Sequence, residues 1–248
     1  MKISVIGAGP IGGNLADRLS KAGHDVLLVD TRGEEITATT SALAGGNRAD
    51  AEGAISKADV IIMSIAFSKQ LELAPILATA PPSTVIVDTA NYYPSMNGRV
   101  KALDQGEVES VWVQQQLGRA IVKAWNAGLA ITQQTMGLPV GASNRIALPV
   151  AADSDASRRT VMQLVSESGF EPVDAGTLAD SWRMQPGTPA YCTELTSDEL
   201  TAALLVADHS ASAATRDRLI EKFGSLRSAP SHDEVVAINR AAHVEPQG

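Results

Sequence analysis

Three observations predict an α/β chain built on a doubly wound parallel sheet, with a small, mostly helical C-terminal part. Apolar strand-like runs alternate with helical periods through the first 150 residues, the pattern of a parallel sheet covered by helices. The first such unit, Ile3 to Asp30, carries Gly7-Ala8-Gly9-Pro10-Ile11-Gly12 between a strand and a helix. Beyond residue 150 the rhythm changes, and from Leu178 onward it is helical. The expected division is a Rossmann-type nucleotide-binding domain over 1–177 and a helical substrate or dimerisation region over 178–248.

Ile3 to Ile6 is the first strand. Pro10 to Ala22 puts Ile11, Leu15 and Leu19 four apart on one helical face, and Gly23-His24 ends that helix. Val26 to Val29 is the second strand, closing on Asp30. Glu34 to Ala44 reads as a helix stopped by Gly45-Gly46, and Ala51 to Ser56 as a short helix. Val60 to Ile65 is a continuous apolar run, as in a buried parallel strand. A helix over Lys69 to Ala78 is broken by Pro81-Pro82, and Thr84 to Val87 is a strand leading into Asp88-Thr89-Ala90-Asn91. Val108 to Leu117 is helical and Ala120 to Ala124 extended. Arg145 to Ala151 and Pro172 to Asp174 are strands flanking a helix, Ser154 to Ser168. After a loop around Gln185 to Pro189, the spacing predicts one long helix from Ser197 to Lys222 and a shorter one from Asp233 to His243, with a frayed end from Glu245.

Composition limits the functions open to this chain. Hydrophobic residues make up 44 % and charged residues 19 %, an ordinary globular balance. A net charge of −8 disfavours a nucleic-acid partner, whose phosphates call for a basic surface. One cysteine, Cys192, cannot form an internal disulfide, and four scattered histidines show no ligand spacing, so no metal is expected. No apolar run reaches membrane-spanning length and the chain opens directly on a strand, so a cytoplasmic protein without a membrane partner is expected.

The glycine-rich turn carries the first chemical signal. Gly7 permits the tight strand-to-helix turn, Gly9 lets a pyrophosphate approach the backbone, and Gly12 allows close packing of helix on strand. The helix N-terminus then offers unpaired N–H groups to the phosphates. Asp30, at the end of the second strand, suits the ribose hydroxyls of NAD. Thr31 and Arg32 instead supply a hydroxyl and a guanidinium for the 2′-phosphate of NADP. From these residues alone NAD(H) is slightly favoured. Ser64-Ile65-Ala66, Asn91 and Asn126 follow predicted strands, where ligands of such sheets bind.

Four blocks sharpen the reading: Met63-Ser64-Ile65-Ala66-Phe67, Val87-Asp88-Thr89-Ala90-Asn91, Ile121-Val122-Lys123-Ala124-Trp125-Asn126 and Pro172-Val173-Asp174-Ala175-Gly176-Thr177-Leu178. They resemble the coenzyme F420-dependent NADP oxidoreductase family, and the likeness runs from Met1 to about Arg183. The resemblance implies NADP(H) on the N-terminal domain and a flat electron carrier such as F420, or another co-substrate, against the nicotinamide. It implies that Gly7, Gly9, Pro10, Ile11 and Gly12 hold the pyrophosphate and that Thr31 and Arg32 hold the 2′-phosphate. Ser64, Ile65 and Ala66, with Asn126 and Ala127, would line the nicotinamide. Asp30 departs from the small or amide residue usual there. The pattern fades in the 65 residues after Arg183, which leaves room for a different substrate pocket. A homodimer formed through that part is expected.

Hydride transfer between rings needs distance and orientation more than an acid or base, so no catalytic side chain is assigned. Phe67, Leu129, Trp182 and Arg183 are the expected substrate contacts. Trp125 reads as core, and Tyr191 and Cys192 as pocket or core neighbours, with Cys192 a buried structural thiol. Two other functions fit the same sequence. One is a 3-hydroxyacid- or imine-type dehydrogenase with Lys123 as proton donor. The other is a dinucleotide sensor that performs no turnover.

Overall fold

The computed structural model describes residues 1–29, 47–48, 53 and 55–243. The helix expected over Glu34 to Ala44 lies outside the described residues, as does most of Ala51 to Ser56. Strands are β1 (Lys2–Ile6), β2 (Asp25–Val29), β3 (Asn47–Arg48), β4 (Val60–Met63), β5 (Val85–Asp88), β6 (Ile121–Ala124), β7 (Ala147–Ala151) and β8 (Glu171–Asp174). Described helices are α1 (Pro10–Lys21), α2 (Ala74–Leu77), α3 (Pro94–Asn97), α4 (Lys101–Asp104), α5 (Glu109–Leu117), α6 (Ala130–Thr135), α7 (Asp155–Glu167), α8 (Ser197–Val206), α9 (His209–Gly224) and α10 (His232–Ala241). Two 3₁₀ segments, Phe67–Leu73 and Leu178–Met184, complete the described elements.

The eight described strands form one sheet in the order β3-β2-β1-β4-β5-β6-β7-β8. Every neighbouring pair is parallel except β6 with β7. The order reverses between β1 and β4, which opens a crevice at the carboxyl ends of those strands, where ligands of such sheets bind. Alternating residues feed opposite faces. Val5, Ile62, Val87 and Val122 join one core with Leu15 and Leu19 of α1 and Val161, Leu164 and Val165 of α7. Ile6, Ile61, Met63, Ile86 and Ile121 join a second core with Val113 and Leu117 of α5. Full burial of a leucine such as Leu15 or Leu19 contributes about 1.5–3 kcal/mol. A third cluster sets Ala147, Ala151 and Val173 against Met184, Leu200 and Leu204, which seats the following helices on the last two strands.

Differences from the sequence expectation have local causes. The long helix over Ser197 to Lys222 is two helices, because Asp208 accepts a hydrogen bond from the Ser210 N–H at 2.8 Å and starts α9 afresh. The expected helix over Lys69 to Ala78 is a 3₁₀ segment with one α-turn, whose second residue is Pro75. The short elements β3, α3, α4 and α6 have too few residues for a readable period. No described helix is long and apolar enough to cross a membrane.

Candidate active site

The glycine turn is built by backbone contacts that leave one face open. Gly7 has φ +105°, and its N–H donates to the Val29 carbonyl at 2.8 Å, tying β1 to β2. A Cβ at Gly7 would sit 2.2 Å from the Ser64 carbonyl oxygen, and one at Gly12 would sit 2.0 Å from that of Gly7. A Cβ at Gly9 would meet nothing within 4 Å. Gly9 precedes α1, whose start has no side-chain cap. Open space beside uncapped N–H groups fits a pyrophosphate. Ile11 is half-buried and packs against the first core, and Pro10 occupies the first helical position. Ser64 and Ile65 are half-buried and Ala66 exposed at the end of β4, beside this turn. Asp30, Thr31 and Arg32 lie outside the described residues.

The ends of β5 and β6 are joined by a buried ion pair. The Lys123 ammonium and the Asp88 carboxylate, both fully buried side chains, meet at 2.7 Å. Gln70 donates to the same carboxylate, as does the Ala90 N–H at 2.9 Å, and Lys123 also donates to the Ala90 carbonyl. This cluster fixes the turn that presents Asn91. Asn91 and Asn126 then bond reciprocally: each amide N–H donates at 3.0 Å, to the Asn126 backbone carbonyl and the Asn91 Oδ1 respectively. Asn126 also donates to the Met184 carbonyl at 2.9 Å, while its own Oδ1 is buried without a hydrogen-bond partner. Trp125 is 1 % exposed and takes φ +59°, an uncommon conformation for a bulky residue. Its indole donates to Ser168 Oγ at 3.2 Å, and Gln133 binds its carbonyl at 2.9 Å. That turn reverses the chain immediately before Asn126.

Residues 185–194 form the far wall. Cys192 N–H donates to the Ala127 carbonyl at 2.9 Å, and both Cys192 (φ +55°) and Glu194 (φ +51°) are left-handed. Several anchors hold this segment. Glu194 accepts from Thr132 and meets His232 Nε2 at 2.6 Å. Arg240 donates to the Thr193 and Glu194 carbonyls at 2.7 and 2.9 Å. Burial opposes the positive charge on His232, but Asp233 and Glu194 outweigh it and raise the imidazole's pKa. The segment carries Tyr191, whose hydroxyl lies 2.8 Å from that of Tyr93 and 3.3 Å from Asn91 Nδ2. Burial pushes both phenols upward and keeps them neutral. A cavity of about 120 Å³ lies beside them, lined among others by Leu129, Arg216 and Phe223.

Burial also pushes the Cys192 thiol up to about 12. The thiolate is the reactive form, so native Cys192 should resist iodoacetamide at pH 8 and react only in denaturant, as mass spectrometry would read. Rapid labelling of the folded protein would contradict this environment.

Beneath the site, Glu109 is 4 % exposed and accepts from the Tyr92 N–H at 3.1 Å. Burial lifts its carboxyl to about 7, against the pull of the Lys123 ammonium and that backbone donor. The folded protein therefore holds a proton that the unfolded chain releases near pH 4.5. The associated stability is fully present below pH 4.5 and is lost as pH rises through 7. Glu109→Gln should lack this loss, gaining about 1–3 kcal/mol on wild type between pH 5 and pH 8 in urea unfolding. Parallel pH profiles for the two proteins would contradict the buried carboxyl.

Of the expected substrate contacts, Leu129 lines the cavity. Phe67 packs in the core: it is 4 % exposed, stacked on Trp112 at 5.7 Å and tilted on Tyr92 at 5.3 Å. Trp182 and Arg183 are engaged with each other at 4.5 Å and with the helices beyond. Trp182 packs edge-on against His209, and Arg183 donates to the Leu204 carbonyl at 2.9 Å. The structure also brings in Tyr93, Glu109 and Arg216, which sit in no sequence motif.

Fold and glycine turn are those of a dinucleotide-binding domain, and the family match places the chain among the NAD(P)-dependent oxidoreductases. Residues 2–92 match the family model described as NADP oxidoreductase coenzyme F420-dependent, and the chain belongs to this family. Protein YjhV of Escherichia coli (strain K12) is 36 % identical over 104 residues, 42 % of this chain and 76 % of that protein. Among solved structures, the hypothetical protein SMa0349 from Sinorhizobium meliloti is 25 % identical with a TM-score of 0.67, covering 79 % of this chain and 95 % of that one. A provisionally assigned F420-dependent NADP reductase from Arthrobacter sp. FB24 shares the fold at 18 % identity and a TM-score of 0.59, covering 92 % and 96 %.

Proposed function

We propose that this chain moves a hydride between NADP(H) on the glycine turn and a small organic acceptor seated across the strand ends at Asn91 and Asn126. The observation that carries this reading is the bonding of that amide pair to the segment that follows the sheet. Asn126 holds the Met184 carbonyl and Asn91 the Tyr191 hydroxyl, so polar groups close over the strand ends where a nicotinamide would lie. Gly7, Gly9 and Gly12 would hold the pyrophosphate, and Ser64, Ile65 and Ala66 would flank the ring. When bound, the reduced nicotinamide supplies the hydride; the chain's residues bind, orient and exclude water. The preference for NADP over NAD rests on the family and on Thr31 and Arg32.

F420 as acceptor is the second reading, supported by the family that matches residues 2–92. The test is to titrate the full chain with NADPH and NADH, each alone, with F420 and with small carbonyl compounds, following nicotinamide absorbance and fluorescence. NADPH oxidation by a small carbonyl compound is the expected result. Oxidation by F420 alone would move the assignment to the second reading, and tight binding without any turnover would indicate a sensor.

A further inference from the structure

Arg216 is a cation held against the cavity with its binding capacity largely unspent. Its side chain is 11 % exposed, and its Nε donates to Asp217 at 2.8 Å. The guanidinium carbon stands 5.6 Å from the centre of the Tyr92 ring. Its two terminal amino groups make no hydrogen bond or ion pair among the described residues. A guanidinium in this condition matches a carboxylate, which it can grip with two parallel bonds.

Tyr191 faces the same cavity. A hydroxyl has one proton and two lone pairs. Tyr93 OH and Asn91 Nδ2 approach the Tyr191 oxygen as donors, which leaves its own proton for the cavity or for the adjoining Cys192 sulfur. The space is about 120 Å³, and a cavity of about 150 Å³ holds a benzene molecule. A compound close to benzene in size, of about five to seven heavy atoms, suits this space better than a tricyclic deazaflavin.

We propose that the cavity between Tyr93, Tyr191, Leu129, Phe223 and Arg216 takes a small carboxylic acid bearing a C=O or C=N group, with Arg216 gripping the carboxylate and Tyr191 donating the proton. The proposal rests on the hydride-transfer reading above and names its acceptor class. The step balances. The reduced nicotinamide gives up a hydride, two electrons and a proton, to the unsaturated carbon. The π pair moves onto the oxygen or nitrogen, which takes the Tyr191 proton. The phenolate recovers a proton from Tyr93, 2.8 Å away, which exchanges with water. The product is a hydroxy or amino acid.

The test uses the full chain and 2-oxobutyrate, with 2-butanone as the uncharged match. Calorimetric titration of 2-oxobutyrate in the presence of NADP⁺ reads binding without turnover. Arg216→Gln should weaken it at least about tenfold, and Arg216→Lys should restore part of the loss. In NADPH oxidation, Arg216→Gln should reduce the preference for 2-oxobutyrate over 2-butanone by a similar factor. Tyr191→Phe should lower kcat by about 100-fold with little change in KM, and should remove a solvent deuterium isotope effect seen in wild type. Unaltered melting temperature and NADPH affinity would show that the variants are folded. Equal 2-oxobutyrate binding by wild type and Arg216→Gln would overturn the proposal. NADPH oxidation by F420 alone, indifferent to Tyr191→Phe, would overturn it while leaving hydride transfer intact. Arg216-dependent binding with no oxidation of NADPH by any acceptor would instead overturn the hydride reading and the role of Tyr191.

Discussion

Gly9→Ala should fold like wild type and lose the dinucleotide, whereas Gly12→Ala should be strongly destabilised. The two glycines stand three residues apart in one turn and differ in what a methyl group would meet. At Gly12 the nearest atom is the Gly7 carbonyl oxygen at 2.0 Å, a backbone group that cannot swing aside without opening the junction of β1 and α1. Overpacking of that kind costs about 3 kcal/mol or more. At 2–4 °C per kcal/mol, that lowers Tm by roughly 6–12 °C. At Gly9 the space is open and the backbone is extended (φ −72°, ψ −177°), a conformation any residue adopts. Its methyl group would fill the volume a pyrophosphate needs for close approach, so NADPH affinity should fall at least about tenfold, or 1.4 kcal/mol. Thermal unfolding and NADPH fluorescence titration separate the two effects. Wild-type affinity in Gly9→Ala would place the pyrophosphate elsewhere.

Lys123→Met should be among the most damaging single changes in the molecule, through stability. It leaves the Asp88 carboxylate fully buried without its counter-charge, and breaking such a pair from one side costs about 3–5 kcal/mol. Removing both charges, in Asp88→Asn with Lys123→Met, should recover much of the loss, because a neutral amide no longer demands a cation. A double-mutant cycle in urea reads this directly. The result also decides between two roles for Lys123. A Lys123→Met protein as stable as wild type but unable to turn over would make the lysine the proton donor of a 3-hydroxyacid- or imine-type dehydrogenase. The observed geometry argues for positioning: the ammonium is already engaged by Asp88 and the Ala90 carbonyl, and its cluster sets the turn that carries Asn91.

The parts of the molecule legible in sequence are those whose residues have a local job. The strand from Ile3 to Ile6, the glycine turn and the Leu15–Leu19 face of α1 each leave a short-range pattern, and each lies where that pattern predicts. The continuous apolar run from Val60 to Ile65 likewise marked a buried strand, found at Val60–Met63, and the strand read over Ala120 to Ala124 is found at Ile121–Ala124. The antiparallel entry of β7 was not legible, because a strand's direction is set by the path of the chain before it. The packing of Phe67 was hidden for a related reason. An aromatic directly after a strand suits a substrate contact and a stacked core equally, until Tyr92 and Trp112 arrive from elsewhere in the chain. The cavity beside Tyr191 was the least legible part. Tyr93 and Tyr191 are 98 residues apart, and Arg216 belongs to a helix whose sequence carries no motif. Asn91 and Asn126 could be singled out in the sequence because each directly follows a strand of one sheet.

The segment Cys192 to Glu194, with left-handed backbone at both ends, is tied on one side to Ala127 and Thr132 and on the other to His232 and Arg240 of the α10 region. Tyr191 is covalently continuous with it. A ligand at the tyrosine that tightens this segment should therefore be coupled to order in the C-terminal helix, and any such coupling is reciprocal. Binding at Tyr191 should then slow amide exchange along α10, and fraying of α10 should weaken that binding by the same free energy.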